Sequence, residues 1–434
     1  MKTITLECLR GLEAPARVAI RRQNGRCQAY LQTTSPRPLA QLCRRRPVEE
    51  LPRLVTLLSP AHHLAAALAL DRLGEVTPPE MAQNMREGLR LALTYRRHLR
   101  KLYFLLLAWE NPWANGDSLG SRRRSHTFPP RLMDDAWRHL SLAQEAVAIL
   151  GGRFDHPVTA VAGGVSRFLK EEHYARLAVI AGACRDFALS FSDFLASQVF
   201  LWGREEGWLA AELPPLPSLT LSTPEEQFVR RDGRGQEQER FTAAALWEKV
   251  GRHQEPWTYE DFAYFREQGW QHLEPTSVDH LFAVGPLPRL NSGTPASAPA
   301  AVGEVERLCS VLGPLPRREL AAAYWALLVD LLQAAESMVE LYTPEKLTGP
   351  TLRHIPAGWG REAQAVVESP AGWLFIQVRV DERGLIEDLQ LLDPATANNA
   401  LCCLVAQQVV AAAAAANLGW QDTKKRLELS LLPL

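Results

Sequence analysis

Two segments of alternating apolar and polar residues, one near each end of the chain, restrict the fold most strongly. Residues 3–32 alternate around Asn24-Gly25, and residues 363–392 alternate around Glu382-Arg383-Gly384. Alternation with a period of two is typical of half-buried strands, and Asn-Gly or a short glycine turn between two such runs favours a hairpin. The sequence therefore predicts a small β segment at each end of the chain.

Between these segments the apolar residues recur at three- and four-residue intervals, which indicates helices. The pattern covers about 37–110, 166–205 and 302–345, and a last helix is expected at about 396–417. This order predicts an α+β fold with a central helical bundle and small β segments from both chain ends. Because the β segments bracket the helices, we expect residues 1–434 to form one large domain. Residues 206–300 are rich in proline and glycine, so we expect a partly irregular region there.

The charges balance almost completely, with 48 lysines and arginines against 49 aspartates and glutamates among 434 residues. A net charge of −1 gives no general attraction to nucleic acid or to anionic membranes. The basic runs Arg96–Lys101 and Arg122–Arg124 have no interleaved aromatic residues. They are more typical of solvated surface than of a nucleic-acid interface, so we expect no nucleic-acid partner.

Neither end of the chain predicts membrane insertion. Met1–Arg10 has no apolar core of the secretory type, and Ala400–Ala416, interrupted by Gln407 and Gln408, is more typical of a buried helix. The seven cysteines include no C-x-x-C pair. An odd number at wide spacings argues against a disulfide framework and for a reducing compartment. We therefore expect a cytoplasmic protein without a membrane span.

Paired histidines and paired glycines are the first candidates for a functional site. His62-His63 lacks a partner at i+4, so spacing alone favours a core or capping histidine over a metal ligand. Gly151-Gly152 and Gly163-Gly164 do not have the spacing of a nucleotide-binding loop. Paired glycines mark either tight packing or close approach to a ligand, and the sequence leaves both open.

Five segments in the same order resemble the large subunit of nickel–iron hydrogenases. The longest is Ile149–Val165 (ILGGRFDHPVTAVAGGV), which is similar to that family's GG-x-x-x-HP-x-x-x-x-x-GGV motif. The other segments are Leu12-Glu13-Ala14 followed by Arg17, Val55–His63, Val284–Leu290, and Glu368–Gly372 followed later by Pro394–Asn398. The resemblance implies the large-subunit fold.

The departures from that family concern the metal ligands. The family holds nickel and iron with four cysteine thiolates in two C-x-x-C pairs, and the first pair falls here on Thr56 and Ser59. The second pair belongs to a C-terminal segment, whereas this sequence ends in ELSLLPL, and Ala371 stands where the family has arginine. Hydroxyls do not replace soft thiolates at such metals. We therefore expect no nickel–iron centre and a chain that is not an enzyme.

What remains resembles the hydrogenase maturation proteins of the HupK/HoxV type. That resemblance implies a scaffold for assembling or transferring an iron fragment, Fe(CN)2(CO), bound transiently rather than as a permanent cofactor. It also implies a small HypC-type chaperone and other hydrogenase assembly factors as partners. The residues expected to surround the fragment are Glu13, Thr56, Ser59, His63, His156, Glu368 and Asn398.

Two other functions and one further metal contact stay open. The quinone-site large subunit of complex I shares the ancestral fold and has also lost the cysteines, but it keeps a lysine or arginine at the position of Ala371. A divergent hydrogenase large subunit would need thiolates that are not in place. Adjacent Cys402 and Cys403 could touch iron transiently, although cysteines in an alanine-rich helix also pack as small hydrophobic residues.

Overall fold

Helices and short antiparallel strands make up the computed structural model, which describes residues 3–6, 16–23, 26–33, 39–110, 129, 131–222, 225–293 and 296–434. The helices are α1 (Leu39–Cys43), α2 (Leu51–Val55), α3 (Pro60–Leu73), α4 (Glu80–Glu110), α5 (Leu132–Gly151), α6 (Glu171–Phe194), α7 (Leu201–Glu205), α8 (Leu246–Lys249), α9 (Pro286–Asn291), α10 (Pro299–Leu312), α11 (Leu320–Leu341), α12 (Pro344–Leu347), α13 (Pro394–Ala415) and α14 (Trp420–Leu431). A π-helical turn, Leu195–Phe200, joins α6 to α7.

The strands form small sheets rather than one continuous sheet. They are β1 (Thr3–Leu6), β2 (Ala16–Gln23), β3 (Arg26–Thr33), β4 (Ala160–Val161), β5 (Gly164–Val165), β6 (Ser218–Ser222), β7 (Gln227–Arg231), β8 (Glu237–Thr242), β9 (Val250–His253), β10 (Phe262–Phe265), β11 (Glu362–Ser369), β12 (Gly372–Val380) and β13 (Ile386–Leu392). Three sheets have three strands each, β1-β2-β3, β6-β7-β8 and β11-β12-β13, and two ladders have two strands. The predicted mixture of helix and sheet is confirmed.

Helix α11 occupies the centre of the helical bundle. Every residue from Leu320 to Val329 is buried, and the helix packs against α4, α6 and α10. A helix that is apolar on all sides is stable only when other elements surround it. The side chain of Tyr95 on α4 donates a hydrogen bond of 3.0 Å to the carbonyl of Cys184 on α6. The bundle is therefore held by apolar packing, to which hydrogen bonds between helices such as this one are added.

Both predicted terminal hairpins are present. Strands β2 and β3 pair antiparallel, and β3 packs on α13. Strands β12 and β13 pair around Gly384, whose φ of +73° explains the glycine at that turn. Helix α3 packs across β11 and β12. The two hairpins belong to separate sheets, and α13, which follows β13, packs against β3 of the N-terminal hairpin.

The region 206–300 is more regular than its composition indicated. It contains β6 to β10, and Phe228 and Phe262 within it are fully buried. The indole of Trp373 on β12 donates a hydrogen bond of 2.7 Å to the carbonyl of Leu219 on β6. Strand β6 packs against the C-terminal sheet and β10 packs against α13, so composition alone underestimated the order.

Among the described helices, α13 is the one with the length and apolar character of a membrane span. However, 61% of its most apolar window is buried inside the fold. It packs against β3, β10 and α14, and buried Asn398 and Asn399 bond to neighbouring segments. This burial is typical of the core helix of a folded domain.

Candidate functional site

The turn between α2 and α3 carries the two positions where the resemblance expects thiolates. Thr56 ends α2, and Ser59 immediately precedes α3, whose first residue is Pro60. Thr56 is 3% exposed, and its hydroxyl has no hydrogen-bond partner. The carbonyl of Thr56 lies 3.2 Å from Nδ1 of His156, which is exposed. Thr56 and His156 are therefore neighbours, as the resemblance implies, although His156 contacts the backbone rather than the hydroxyl.

Ser59, His62 and Asp393, which we call the histidine cluster, connect the first turns of α3 and α13. Ser59 Oγ lies 2.9 Å from His62 Nδ1, and His62 Nε2 lies 3.6 Å from Asp393 Oδ2. His62 is 3% exposed, and its Nε2 makes no hydrogen bond. Asp393 caps α13 by accepting a 2.9 Å hydrogen bond from the Thr396 amide at Oδ1. The cluster therefore holds a buried nitrogen that faces a carboxylate without bonding to it.

The charge on Asp393 is maintained despite its burial. Burial raises the pKa of this carboxyl, but His62 and the hydrogen bonds from Thr396 together bring the pKa below its ordinary value. Sequence reasoning singled out Ser59 and missed His62 and Asp393 as its partners. The usable signals were Ser59-Pro60 and Asp393-Pro394, because a polar cap followed by proline marks the start of a helix.

Both ring nitrogens of His63 form hydrogen bonds within the fold. Nδ1 lies 2.9 Å from the carbonyl of Pro52, which can only accept, so Nδ1 carries the proton. Nε2 then accepts a 3.0 Å hydrogen bond from the amide of Ala160. Burial lowers the pKa of His63 to about 4, so the ring is neutral at pH 7. This predicted site residue ties α2, α3 and β4 together.

The second glycine pair is required by packing, which settles the alternative that spacing left open. A Cβ on Gly163, at φ +75°, would lie 1.7 Å from the carbonyl oxygen of His354. The Gly163 amide donates a 2.6 Å hydrogen bond to Asp71, which also pairs with Arg86. Arg86 in turn donates to the carbonyl of Gly164 at 2.8 Å. The backbone of Gly163–Val165 therefore packs closely against residues 352–354 and is held in place by the buried Asp71–Arg86 ion pair.

Three segments that carry the resemblance meet at Asn398. Its Oδ1 accepts a 2.9 Å hydrogen bond from the Val284 amide, and its Nδ2 donates a 3.0 Å bond to the Val284 carbonyl. The next residue, Gly285, has φ +110°, and a Cβ there would lie 2.7 Å from the carbonyl oxygen of Ala371. Asn398 therefore holds the 284–290 segment against 368–372, which is a positioning role within the fold.

Glu368 belongs to a second, largely buried polar group, the arginine cluster of Arg289, Glu368, Asp330 and His98. Arg289 bonds to Glu368 with one guanidinium nitrogen and to Asp330 with another. His98 Nε2 lies 3.4 Å from Asp330 Oδ2. Burial alone would raise the pKa of Asp330, but Arg289 and His98 lower it to about 2. Burial also raises the pKa of Glu368 and lowers that of His98 to about 4.

Two cavities meet at Glu368. One, of about 580 Å³, is bounded by α3, α4 and β11, and the other, of about 520 Å³, extends towards α11. Leu64 and Leu68 of α3 line the first cavity, so its wall is largely apolar. Thr56, Ser59, His63 and His156 line neither of these two cavities. The structure therefore separates the predicted residues into the α2–α3 turn and the Glu368 cavities.

Cys402 and Cys403 lie farther along α13. Cys402 comes eight residues after Pro394, about 12 Å along the helix axis at 1.5 Å per residue. Cys403 is fully buried. Burial raises the pKa of Cys402 to about 11 and that of Cys403 further, so both are protonated thiols at pH 7. Glu13 lies outside the described residues.

The site does not fit the thiolate-bound metal centre that the resemblance would otherwise imply. Thr56 offers a buried hydroxyl without a partner, and Ser59 offers a hydroxyl already engaged with His62. Neutral hydroxyls are poor ligands for the soft coordination that nickel–iron chemistry requires. Within the described part of the chain, no group of three or more histidine, cysteine, aspartate or glutamate side chains is arranged to hold a metal ion.

Comparison with known proteins connects the chain to subunits of hydrogenases. No protein-family model matches it. It is 25% identical over 420 residues to the iron-sulfur subunit of an F420-non-reducing hydrogenase from Archaeoglobus profundus, an alignment that covers 92% of this chain and 86% of that protein. It is 26% identical over 390 residues to the NAD-reducing hydrogenase HoxS subunit beta of Cupriavidus necator, covering 80% of this chain and 74% of that protein.

Solved structures show the same fold. The NAD⁺-reducing [NiFe]-hydrogenase in its H2-reduced state aligns with a TM-score of 0.84 at 22% identity, covering 100% of this chain and 97% of that chain. The Ni-Fe-Se hydrogenase of Desulfovibrio vulgaris Hildenborough in its oxidized state aligns with a TM-score of 0.71 at 16% identity, covering 100% and 98%. The predicted nickel–iron hydrogenase large-subunit-like fold is therefore confirmed.

One sequence-based expectation needs correction. The chain was expected not to be an enzyme because Thr56 and Ser59 replace thiolates. That expectation is contradicted by the relatives, because those named from Archaeoglobus profundus and Cupriavidus necator are subunits of hydrogenases, which are enzymes. The replacement of two ligand side chains changes one turn of the chain. It does not establish that this chain, which aligns with a hydrogenase subunit over 92% of its length, has no catalytic role.

Proposed function

We propose that this large-subunit-like chain takes part in the maturation of a nickel–iron hydrogenase, as a protein of the HupK/HoxV type. In this role it is a scaffold that receives an iron fragment, Fe(CN)2(CO), as cargo and passes it on. The observation that carries the proposal is the pair of hydroxyls at Thr56 and Ser59 within an otherwise hydrogenase-like fold. Hydroxyls hold borderline metals less firmly than thiolates do, and weak retention suits a cargo that must leave again.

The partners in this proposal follow from the missing thiolates. A small HypC-type chaperone that carries its own cysteine would supply the soft ligand that Thr56 and Ser59 do not. Leu57, between these residues, is 60% exposed, and Phe154, two residues before His156, is 58% exposed. Exposed large apolar side chains beside the turn favour contact with another protein at this place. Other hydrogenase assembly factors would act before and after the transfer.

The test is infrared spectroscopy of the full chain purified without oxygen from a host that is expressing a hydrogenase. Cyanide and carbonyl stretching bands in the wild-type protein, lost in a Thr56→Val/Ser59→Ala double variant of equal yield, are the expected result. A His354→Gln variant serves as control, because His354 is exposed and lies outside the α2–α3 turn. Absence of these bands from wild-type protein, together with normal hydrogenase maturation in a strain without the gene, contradicts the proposal.

A divergent hydrogenase large subunit is the second candidate, favoured by the 92% coverage of this chain by a hydrogenase relative. It predicts stoichiometric nickel and iron in the purified complex and hydrogen-dependent reduction of an electron acceptor. The scaffold predicts iron without nickel. Elemental analysis and a hydrogen-uptake assay on the same preparation therefore separate the two functions.

A further inference from the structure

The histidine cluster contains a polar mismatch that the fold does not resolve. His62 Nε2 is buried, makes no hydrogen bond, and faces Asp393 Oδ2 at 3.6 Å. Hydrogen bonds between nitrogen and oxygen span 2.7–3.2 Å, so this separation is too long for one. Buried polar atoms in folded proteins nearly always have a partner, and an exception requires an explanation.

The tautomer of His62 sharpens the mismatch. If Nδ1 carries the proton, it donates to Ser59 Oγ at 2.9 Å, and Nε2 presents a lone pair to the Asp393 carboxylate. If Nε2 carries the proton instead, that proton points at Asp393 across a gap too wide for a hydrogen bond. Either tautomer accounts for the short contact, because the Ser59 hydroxyl can accept from Nδ1–H or donate to an unprotonated Nδ1. With the proton on Nε2 the His62–Asp393 contact is a long polar contact, and with the proton on Nδ1 it sets two electron-rich atoms against each other. Such a pair is stabilised by a cation between them.

We infer that His62 Nε2 and Asp393 Oδ2 form a two-donor site for a divalent metal ion of borderline character, such as iron(II), with Ser59 orienting the imidazole. Two ligands that are each about 2.1 Å from a tetrahedral ion lie about 3.4 Å apart, close to the 3.6 Å found here. An imidazole nitrogen with a carboxylate oxygen suits iron, cobalt and zinc better than calcium or magnesium.

The surroundings of the two donors are built as metal sites usually are. Metal-ligating histidines almost always donate their second ring N–H to a fixed acceptor, and Ser59 is positioned to be that acceptor. Asp393 uses Oδ1 to cap α13 through Thr396, which fixes the carboxylate and leaves Oδ2 for the ion.

Two protein donors leave at least two coordination positions to other ligands. This inference deepens the proposed function and rests on it for the identity of the cargo, because those positions would accept ligands brought by the iron fragment or by a partner protein. The site spans α3 and α13, the helices whose first turns the cluster connects. A metal ion there would replace a weak polar contact between them by two coordinate bonds.

The experiment is a titration of metal-free, full-length protein with cobalt(II) at pH 7.5, followed by visible d–d absorption and by calorimetry. Wild-type protein should bind one ion per chain. His62→Gln and Asp393→Asn should each weaken binding about tenfold or more, and Ser59→Ala should weaken it by roughly tenfold, as removal of an orienting partner does. His354→Gln, which changes an exposed histidine elsewhere, should bind cobalt like wild-type protein.

Thermal unfolding of each apo variant keeps the result interpretable. Asp393→Asn retains the Oδ1 that caps α13, so this variant remains folded even if His62→Gln does not. Failure of wild-type protein to bind cobalt, or equal binding by wild-type, His62→Gln and Asp393→Asn, overturns the site. The titration needs no hydrogenase host. If wild-type protein binds cobalt and the variants do not, while the cyanide bands are absent, only the proposed function is contradicted. If the cyanide bands are present but cobalt binding does not depend on His62 and Asp393, only this site is contradicted.

Discussion

The arginine cluster and the histidine cluster are both largely buried polar groups that join distant segments, but they differ in what faces their carboxylates. In the first, Arg289 bonds to Glu368 and Asp330 at once. In the second, His62 and Asp393 face each other without a hydrogen bond. An arginine pairs the carboxylates of the first cluster, which contributes to a unique fold, although His98 beside Asp330 makes no hydrogen bond. Only an imidazole at 3.6 Å faces Oδ2 of Asp393, so this carboxylate keeps binding capacity. The difference teaches that burial alone does not distinguish a structural polar residue from one that receives a ligand.

The largest expected effect comes from breaking the arginine cluster. Arg289→Met leaves Glu368 and Asp330, which are largely but not fully buried, without their cation, and this should cost up to about 3–5 kcal/mol of unfolding free energy. The matched control is Arg361→Met, because Arg361 pairs with Glu382 where both side chains are more than half exposed. Exposed pairs contribute about 0–1 kcal/mol. Urea unfolding of both variants measures the difference, and equal losses would show that the cluster is not structural.

The second effect is a loss of stability below neutral pH. Burial lowers the pKa values of His63 and His98 to about 4, whereas an unfolded histidine titrates near 6.5. Between these values the unfolded chain binds more protons than the folded chain, so the unfolding free energy falls as pH falls from about 6.5 to about 4. The slope is at most about 1.4 kcal/mol per pH unit for each histidine.

Urea unfolding at several pH values, with one variant, tests this dependence. His63→Gln is less stable than wild-type protein at pH 7.5, because the Pro52 and Ala160 hydrogen bonds are disturbed. Its unfolding free energy should nevertheless depend less on pH between 6.5 and 4, since one of the two buried imidazoles is gone. An unchanged slope would mean that His63 is not kept neutral by the fold.

The third effect concerns the contact between Asn398 and Val284, which joins two of the segments that resemble the hydrogenase large subunit. Asn398→Ala removes both hydrogen bonds to Val284 and leaves a buried amide and carbonyl unpaired, at a cost of about 1–3 kcal/mol. Asn84→Ala is the control, because Asn84 makes an exposed bond to Lys346 and its loss should cost well under that amount. A loss no greater than the control's would show that Val284 is held by packing alone.

Local patterns of apolar residues in the sequence predicted much of the fold. The two alternating segments predicted the β2–β3 and β12–β13 hairpins, and three- to four-residue periodicity predicted α4, α11 and α13. The strands within 206–300 were missed because each is short, and prolines and glycines are frequent in the region. Tertiary packing stabilises them: β6 contacts β12 through the Trp373–Leu219 hydrogen bond, and β10 packs against α13. Local sequence patterns do not encode such contacts.

The candidate site was predictable only in part, for the same reason. Motif resemblance located Thr56, Ser59 and Glu368, which lie in recognisable segments. Asp330 and Asp393 were not selected, because their importance depends on which side chain faces them across the fold. Arg289 is close to Glu368 although 79 residues separate them in the chain. Pairing of this kind is set by tertiary packing, and no spacing rule within one segment encodes it.

The smallest expected effect on stability is at the histidine cluster, and it sharpens the comparison most. Asp393→Asn keeps an Oδ1 that accepts from the Thr396 amide, and asparagine caps helices about as well as aspartate. The His62 contact at 3.6 Å is long, although His62 lowers the pKa of Asp393, so replacement of Oδ2 by an amide should lower the unfolding free energy at pH 7.5 by at most about 1 kcal/mol. Asp393→Ala, which removes the cap, should cost about 1 kcal/mol more.

A large loss in Asp393→Asn, measured by urea unfolding, would mean that the His62–Asp393 contact already stabilises the fold as an ion pair. A near-neutral result, beside several kcal/mol for Arg289→Met, would mean that the geometry at Asp393 is maintained for something other than folding.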